Sequence, residues 1–342
     1  MNKILLPAEW HPQSAIQLTW PHKDTDWAPT LDEVIPCFVA IAKAIVKYEL
    51  LLIVCSDKEL VLSQLGDVDT TRIIFREMET NDTWARDHGG ITVFENDQPV
   101  IYDFVFNGWG MKFPANFDNL ITRQLFLSET FASDIEVVNM QPFVLEGGSI
   151  ESDGEGTLLT TVECLSSVNR NEYLNQEQLT YHLKDFFGIE RILWLENGYL
   201  AGDDTDSHVD TLARFCNANT IAYVQCTDET DEHFEELKAM EEELKTFRTL
   251  SGAPYQLIPL PMADEVTFEG ERLPATYANF LIINDAVLLP FYQSEKDNIA
   301  KQALQKAFPD REIIGINCLP LIKQHGSLHC VTMQYPISVI ND

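Results

Sequence analysis

Cys330 lies near the C-terminal end in the run Gln324-His-Gly-Ser-Leu-His-Cys-Val-Thr-Met-Gln334, after a glycine-containing turn and at the start of an apolar stretch. A free cysteine with histidines elsewhere in the chain is a candidate nucleophile, because a thiolate attacks carbon readily once a neighbouring base or cation activates it. Histidines flank it at 325 and 329, and a cysteine with a distant histidine could equally be structural. A second candidate set is Gly202-Asp-Asp-Thr-Asp-Ser-His-Val-Asp210. His208 and Asp210 are two apart, so on an extended strand both side chains point to the same side and can serve one bound ligand. The aspartates at 203, 204, 206 and 210 also suit a divalent metal or a capped loop, but the run lacks the EF-hand spacing and a second nearby histidine.

Two further islands carry glycine pairs. Thr83-Trp-Ala-Arg-Asp-His-Gly-Gly90 gathers Trp84, Arg86, Asp87 and His88 at the end of a polar stretch, the kind of strand-end loop on which sites are built. A surface Arg–Asp pair would read the same way. In Leu145-Glu-Gly-Gly-Ser149, the glycines let backbone approach closely beside Glu146, as they would also in an ordinary tight turn.

The elements that must position these islands alternate in type. Residues 50–55, 72–75, 100–106, 156–161, 191–195, 220–225 and 280–290 read as strands, several apolar on both faces. Residues 31–48, 175–187, 231–250 and 295–308 have helical periodicity, the third with Phe234, Leu237, Leu244 and Phe247 on one face. Interleaving of this kind predicts an α/β class. The strand groups recur roughly every 60 to 70 residues, which hints at a repeated supersecondary unit, although no sequence self-similarity is visible at that period. From the pattern alone, a doubly wound sheet is the expectation.

Composition narrows the function classes. The chain has 342 residues, 45% hydrophobic, enough for a large core and unlike a disordered chain. Its net charge of -31 repels nucleic acid and anionic membrane and attracts cations, although solubility alone would also account for it. The apolar runs are too short to span a bilayer, and the N-terminus lacks the pattern of a signal peptide. Seven cysteines without a CxxC pair suggest reduced thiols and a cytoplasmic setting. No GxGxxG turn or P-loop is present, which argues against nucleotide binding.

Taken together the islands resemble the agmatine deiminase family, within the superfamily of guanidine-modifying enzymes that includes arginine and peptidyl-arginine deiminases. The resemblance covers nearly the whole chain. Pro7-Ala-Glu-Trp10, Thr19-Trp-Pro-His22, Phe106-Asn-Gly-Trp-Gly110, Gly154-Glu-Gly-Thr-Leu-Leu-Thr160 with Glu163-Cys164, His208-Val-Asp-Thr-Leu-Ala213, Pro274-Ala-Thr-Tyr-Ala-Asn-Phe280 and the Cys330 segment are similar to its blocks and stand in the same order. Two positions depart from it: Ser207 stands where the family commonly has glycine, and His325-Gly-Ser327 where it often has Gly-Gly-Asn.

The resemblance implies a five-fold pseudosymmetric α/β propeller (pentein-like), with residues 1–342 forming a single catalytic domain. It makes Cys330 the nucleophile, His208 the general acid and base, Asp87 and Asp210 the grip on a guanidinium, and Glu146 the residue that orients His208. The chemistry suits these types. A guanidinium stays charged at any working pH, with a pKa of about 12.5 or above. Its planar fork of donors matches carboxylates, which also hold its carbon in front of the thiolate. His208 would protonate departing ammonia and then activate water against a thiouronium intermediate, so neither cofactor nor metal is called for. The implied reaction converts agmatine to N-carbamoylputrescine, and a homo-oligomer is left open. Trp84, Trp109 and Asp204 are the expected contacts for the substrate's ammonium tail, with Asp203 and Asp206 as other acids in reach. Arg86 is the one candidate for an α-carboxylate. Three alternatives stay open: a deiminase of arginine or peptidyl-arginine, a non-catalytic guanidino-binding protein, and a zinc hydrolase using His208, Asp210 and Cys330.

Overall fold

The computed structural model describes residues 3–340. Five small sheets share one order of strands: a first strand runs antiparallel to a second, and the second pairs in parallel with a third. In chain order the second and third strands are Gln13–Thr19 and Leu50–Cys55, Gln98–Val105 and Glu136–Val144, Thr157–Thr161 and Arg191–Leu195, Thr220–Gln225 and Gln256–Pro261, and Ala286–Phe291 and Glu312–Asn317. A parallel pair cannot be joined by a tight turn, and each of these is bridged by a helix. The five bridging helices are Leu31–Ile45, Ile121–Leu127, Gln176–Phe187, Phe234–Thr246 and Lys296–Ala307. The first unit borrows its antiparallel partner from the far end of the chain, where Thr332–Pro336 pairs with Gln13–Thr19.

Local sequence accounts for many of these bounds. Strands 50–55, 191–195 and 220–225 form as expected from apolar runs of strand length; the first and third are buried on both faces, and 191–195 is half-buried. Asn175 caps Gln176–Phe187 through a reciprocal capping box with Gln178, and Gly188 ends that helix in the left-handed conformation at φ 63°. The expected strand at 280–290 is two strands, Leu281–Ile282 and Ala286–Phe291, folded against each other in a hairpin. The expected helices at 31–48 and 231–250 are shorter, Leu31–Ile45 and Phe234–Thr246.

Each functional island occupies the same place in its unit. Asp87 precedes Ile91–Glu95, Gly148 precedes Ile150–Ser152, Asp210 precedes Ala213–Asn217, Asn279 precedes Leu281–Ile282 and Cys330 precedes Thr332–Pro336. These are the first strands of successive units, so the roughly 50- to 70-residue spacing of the islands is the spacing of the repeat.

Candidate active site

His208 and Asp210 do not lie on a strand as their two-residue spacing suggested. Val209–Thr211 is a single 3-10 turn with His208 at its head. The preceding polar residues impose this. Asp203 accepts from the backbone N–H groups of Thr205 and Ser207, and the Thr205 hydroxyl accepts from the His208 N–H. Asp206 and Ser207 have φ near +60°, which breaks any extended run. Trp84 to His88 is likewise a helical turn, Ala85–His88, rather than an open loop.

The turns converge at Gly148. A Cβ there would lie 2.6 Å from His208 Nδ1, 2.8 Å from Asp87 Oδ1 and 3.2 Å from Asp210 Oδ2, so only glycine fits among the three. Its N–H donates to Asp87 Oδ1 at 3.0 Å, and the Trp109 indole N–H donates to Asp87 Oδ2, also at 3.0 Å. Burial, then the facing Asp210, push the Asp87 carboxyl well above its ordinary range. Burial also drives His208 down to about 3, so its imidazole is neutral. Both ring nitrogens of His208 lack a hydrogen-bond partner.

Cys330 Sγ lies 3.4 Å from Asn279 Oδ1 and 3.9 Å from Asp210 Oδ2. Burial, with Asp210 and Asp87 beside it, raises the thiol well above the usual range, so the sulfur is protonated until a cation offsets those carboxylates. Asp210 is held low despite its burial, because His329 donates to its Oδ2 at 2.7 Å.

Glu146 is engaged elsewhere. The Arg170 guanidinium donates through Nε to both of its oxygens, at 2.9 and 3.0 Å, with both side chains fully buried. A ring nitrogen of His208 comes within 4.8 Å of Glu146, but no hydrogen bond joins them. Arg170 also donates to Asp206 Oδ2 and the Thr205 carbonyl, tying down the loop that leads into His208. Among the described residues, metal-type donors converge as Glu146, Cys164 and His208 and as Glu9, Glu151 and His329, not as His208, Asp210 and Cys330. In the first set Arg170 neutralises the carboxylate, and in the second Arg214 pairs with both.

Cys330 opens onto a cavity of about 160 Å³ lined by Trp84, Asp87, Trp109 and Phe113 and by Asp26, Asp82, Asp203 and Asp204, among others. No lysine or arginine is among its lining residues. Of the three acids expected near a substrate tail, Asp203 caps its own loop and Asp206 pairs with Arg170 and Lys112. Asp204 lines the cavity, with His325 Nδ1 3.8 Å away. Burial raises Asp82 to about 6. Arg86 lines a separate small cavity of about 60 Å³ and donates to Gln334.

Arg170, Arg214, Glu9, Asn279 and His329 escaped the sequence reading as site residues. Glu9 and Asn279 sit inside two of the matched blocks, and the repeat would have pointed to Asn279 as the fifth unit's pre-strand residue. Nothing local marks Arg170, which reaches Glu146 across 24 positions of sequence.

A mixed α/β chain that brings a cysteine, a neutral histidine and two carboxylates to one buried point has the equipment of a guanidine-modifying enzyme. The chain belongs to the Porphyromonas-type peptidyl-arginine deiminase family, whose model matches residues 5–336. It is similar to a candidate arginine deiminase of Porphyromonas gingivalis, at 55% identity and a TM-score of 0.96 over 99% of this chain and all of that one. It is also similar to a cysteine-to-serine variant of C. jejuni agmatine deiminase with substrate bound, at 39% identity and a TM-score of 0.91 over 98% of this chain and 96% of that one. A curated candidate agmatine deiminase of Marinomonas sp. is 33% identical over 98% of this chain and 95% of its own length. No described helix is long and apolar enough to cross a membrane.

Proposed function

We propose that this deiminase hydrolyses agmatine to N-carbamoylputrescine and ammonia through a covalent intermediate on Cys330. The observation that carries the substrate choice is the lining of the Cys330 cavity, which holds several carboxylates and two indoles but no lysine or arginine. Agmatine has a cation at each end and no carboxylate. Free arginine would need a cation for its α-carboxylate, and Arg86, the one sequence candidate, lines the other cavity. His325, the remaining basic group, uses Nδ1 on the Gly202 carbonyl at 2.7 Å.

The guanidinium is placed between Asp87 and Asp210, where its charge offsets the carboxylates that keep the thiol protonated. His208 takes the Cys330 proton as sulfur bonds to the guanidinium carbon, then passes it to the departing nitrogen, and ammonia leaves. His208 next takes a proton from water as that water attacks the thiouronium carbon. The C–S bond breaks, the proton on His208 returns to sulfur, the second proton of the water leaves with ammonia as ammonium, and the neutral ureido product is released. Charge and atoms balance without a redox step. Glu146 acts here through the Arg170-tied loop around His208, and Trp84, Trp109 and Asp204 enclose the ammonium tail.

The five equivalent units, closed by pairing of the last strand with the first unit, support reading the fold as a five-bladed α/β propeller in one catalytic domain. The cysteines, all free and buried, suit a reducing cytoplasm.

A second reading, deimination of free arginine, is favoured by the similarity to the candidate arginine deiminase of Porphyromonas gingivalis. Competition between agmatine, arginine and an arginine peptide separates the two. The expected preference for agmatine is at least about a hundredfold in kcat/KM, narrowed by Asp204→Asn. Equal turnover of arginine would overturn the substrate assignment and leave the deiminase chemistry standing.

A further inference from the structure

His329, next to the proposed nucleophile, has a carboxylate on each ring nitrogen. Nδ1 is 2.7 Å from Asp210 Oδ2, and Nε2 is 2.6 Å from Glu9 Oε2. Ionised carboxylates only accept, so each of these contacts needs a proton of its own. Arg214 Nη2 also approaches the same Nε2, at 3.1 Å, but it lies 2.9 Å from Glu9 Oε2, and a guanidinium only donates. The carboxylate at 2.6 Å therefore fixes a proton on Nε2. Burial pushes both acids up, yet His329 at each, with Arg214 beside it, holds Glu9 and Asp210 below the ordinary range. The two short contacts therefore call for a donor N–H on each ring nitrogen.

The two oxygens of Asp210 are thereby made unequal. Oδ2 is bound to His329, while Oδ1 is buried without any partner. An unpaired buried carboxylate oxygen is costly, so Oδ1 is the oxygen of Asp210 that still calls for a donor, while Oδ2 is the one 3.9 Å from Cys330 Sγ. Glu9 is itself anchored, because its Oε1 accepts from the Ile282 N–H at 2.7 Å and its Oε2 pairs with Arg214. The His329 backbone N–H donates to Asn279 Oδ1 at 2.9 Å, the same oxygen that Cys330 Sγ approaches. One residue thus ties the clamp carboxylate to the scaffold at a fixed angle beside the sulfur.

We propose that His329 is a positioning residue of this site: a buried imidazolium that binds one oxygen of Asp210 to Glu9 and leaves the other for the substrate's guanidinium. This rests on the guanidine-hydrolase reading above. The charged and titratable groups around the ring are Asp210, Glu9, Arg214 and Glu151, and Arg86, which lies 3.7 Å from Glu9, lines the same small cavity as His329.

Asparagine and glutamine separate the two contacts, since an amide nitrogen of Asn falls near Nδ1 and that of Gln near Nε2. His329→Asn keeps the donor to Asp210. His329→Gln keeps the donor to Glu9 and releases Asp210. With whichever guanidine the wild type turns over, His329→Gln is expected to raise KM at least about tenfold, and His329→Asn to stay within about threefold of the wild type. Melting curves establish that each variant folds. Equal KM values for two folded variants, or the reverse order, would overturn the proposal. A measurement on the wild type covers the case in which neither folds. 15N-histidine NMR is expected to show one ring with both nitrogens protonated, and a neutral pattern for that ring overturns the proposal. A wild type inert toward every guanidine would instead sink the parent reading.

Discussion

The Trp109 indole N–H donates to Asp87 Oδ2 at 3.0 Å, which makes an aromatic wall of the cavity into a direct support of the carboxylate proposed to grip the guanidinium. The ring reaches that place because Trp109 adopts left-handed backbone, φ 54° and ψ 48°, in a turn where Asn107 Oδ1 accepts from the Gly110 N–H. Edge-on contacts with Phe106, Trp84 and Phe113 hold the indole upright. Trp109→Phe keeps most of the ring and deletes the donor. A hydrogen bond to a charged group is typically worth ~1.5–3 kcal/mol, so kcat/KM should fall about ten- to a hundredfold. The acid limb of its pH profile should move upward, because Asp87 loses a group that favours its ionised form. Steady-state kinetics from pH 5 to pH 9 would show both, and an unmoved profile would detach Trp109 from the clamp.

Cys330→Ser should abolish ammonia release, whereas Cys318→Ser should retain it even if the fold loosens, since Cys318 is buried elsewhere with Cys37 as its neighbour. A substrate-derived mass on Cys330 in a slowed His208→Ala enzyme would record the intermediate. Persistent turnover by Cys330→Ser would rule out covalent catalysis by this residue.

Alkylation of the substrate-free enzyme reports on the same thiol. Burial and the two aspartates hold it above the usual range, so the iodoacetamide rate at Cys330 should keep climbing as pH passes 9. A plateau near neutrality, the mark of a thiolate already formed, would contradict that electrostatic account.

Asp87→Asn and Asp210→Asn each leave a desolvated cation short of a charge partner, a loss typically worth ~2–5 kcal/mol. Both should lower kcat/KM at least about a hundredfold, and EDTA should change nothing. A near-normal Asp210→Asn enzyme would remove that residue from the clamp, and activity lost to chelator would turn attention to metal chemistry.

Gly148→Ala tests the packing of the centre without touching an ionisable group. The added methyl would overlap His208 Nδ1 and Asp87 Oδ1, so those groups must separate. Catalytic geometry tolerates little displacement, and activity should drop at least about a hundredfold with the fold retained. An active Gly148→Ala enzyme would mean that the three groups do not meet there during turnover.

The sequence by itself determined whatever depends on neighbours along the chain. Apolar runs of strand length at 50–55, 191–195 and 220–225 became strands, and the Asn175 capping box set the start of its helix. The islands around Asp87, Glu146, His208 and Cys330 also stood out, because an unusual mix of acid, histidine, cysteine and glycine is visible locally. The two-residue spacing of His208 and Asp210 misled, since strand geometry was assumed where Asp203 and Thr205 bind the backbone of their own loop into a turn. Only the tertiary structure decided which charges meet. Glu146 faces Arg170 rather than hydrogen-bonding His208, and Arg86 turns from the Cys330 cavity to the other one. Glu9 reaches His329 across 320 positions. A buried charge must find its partner wherever folding brings one, and repeated units that meet at a common centre supply that partner from a different turn of the chain each time.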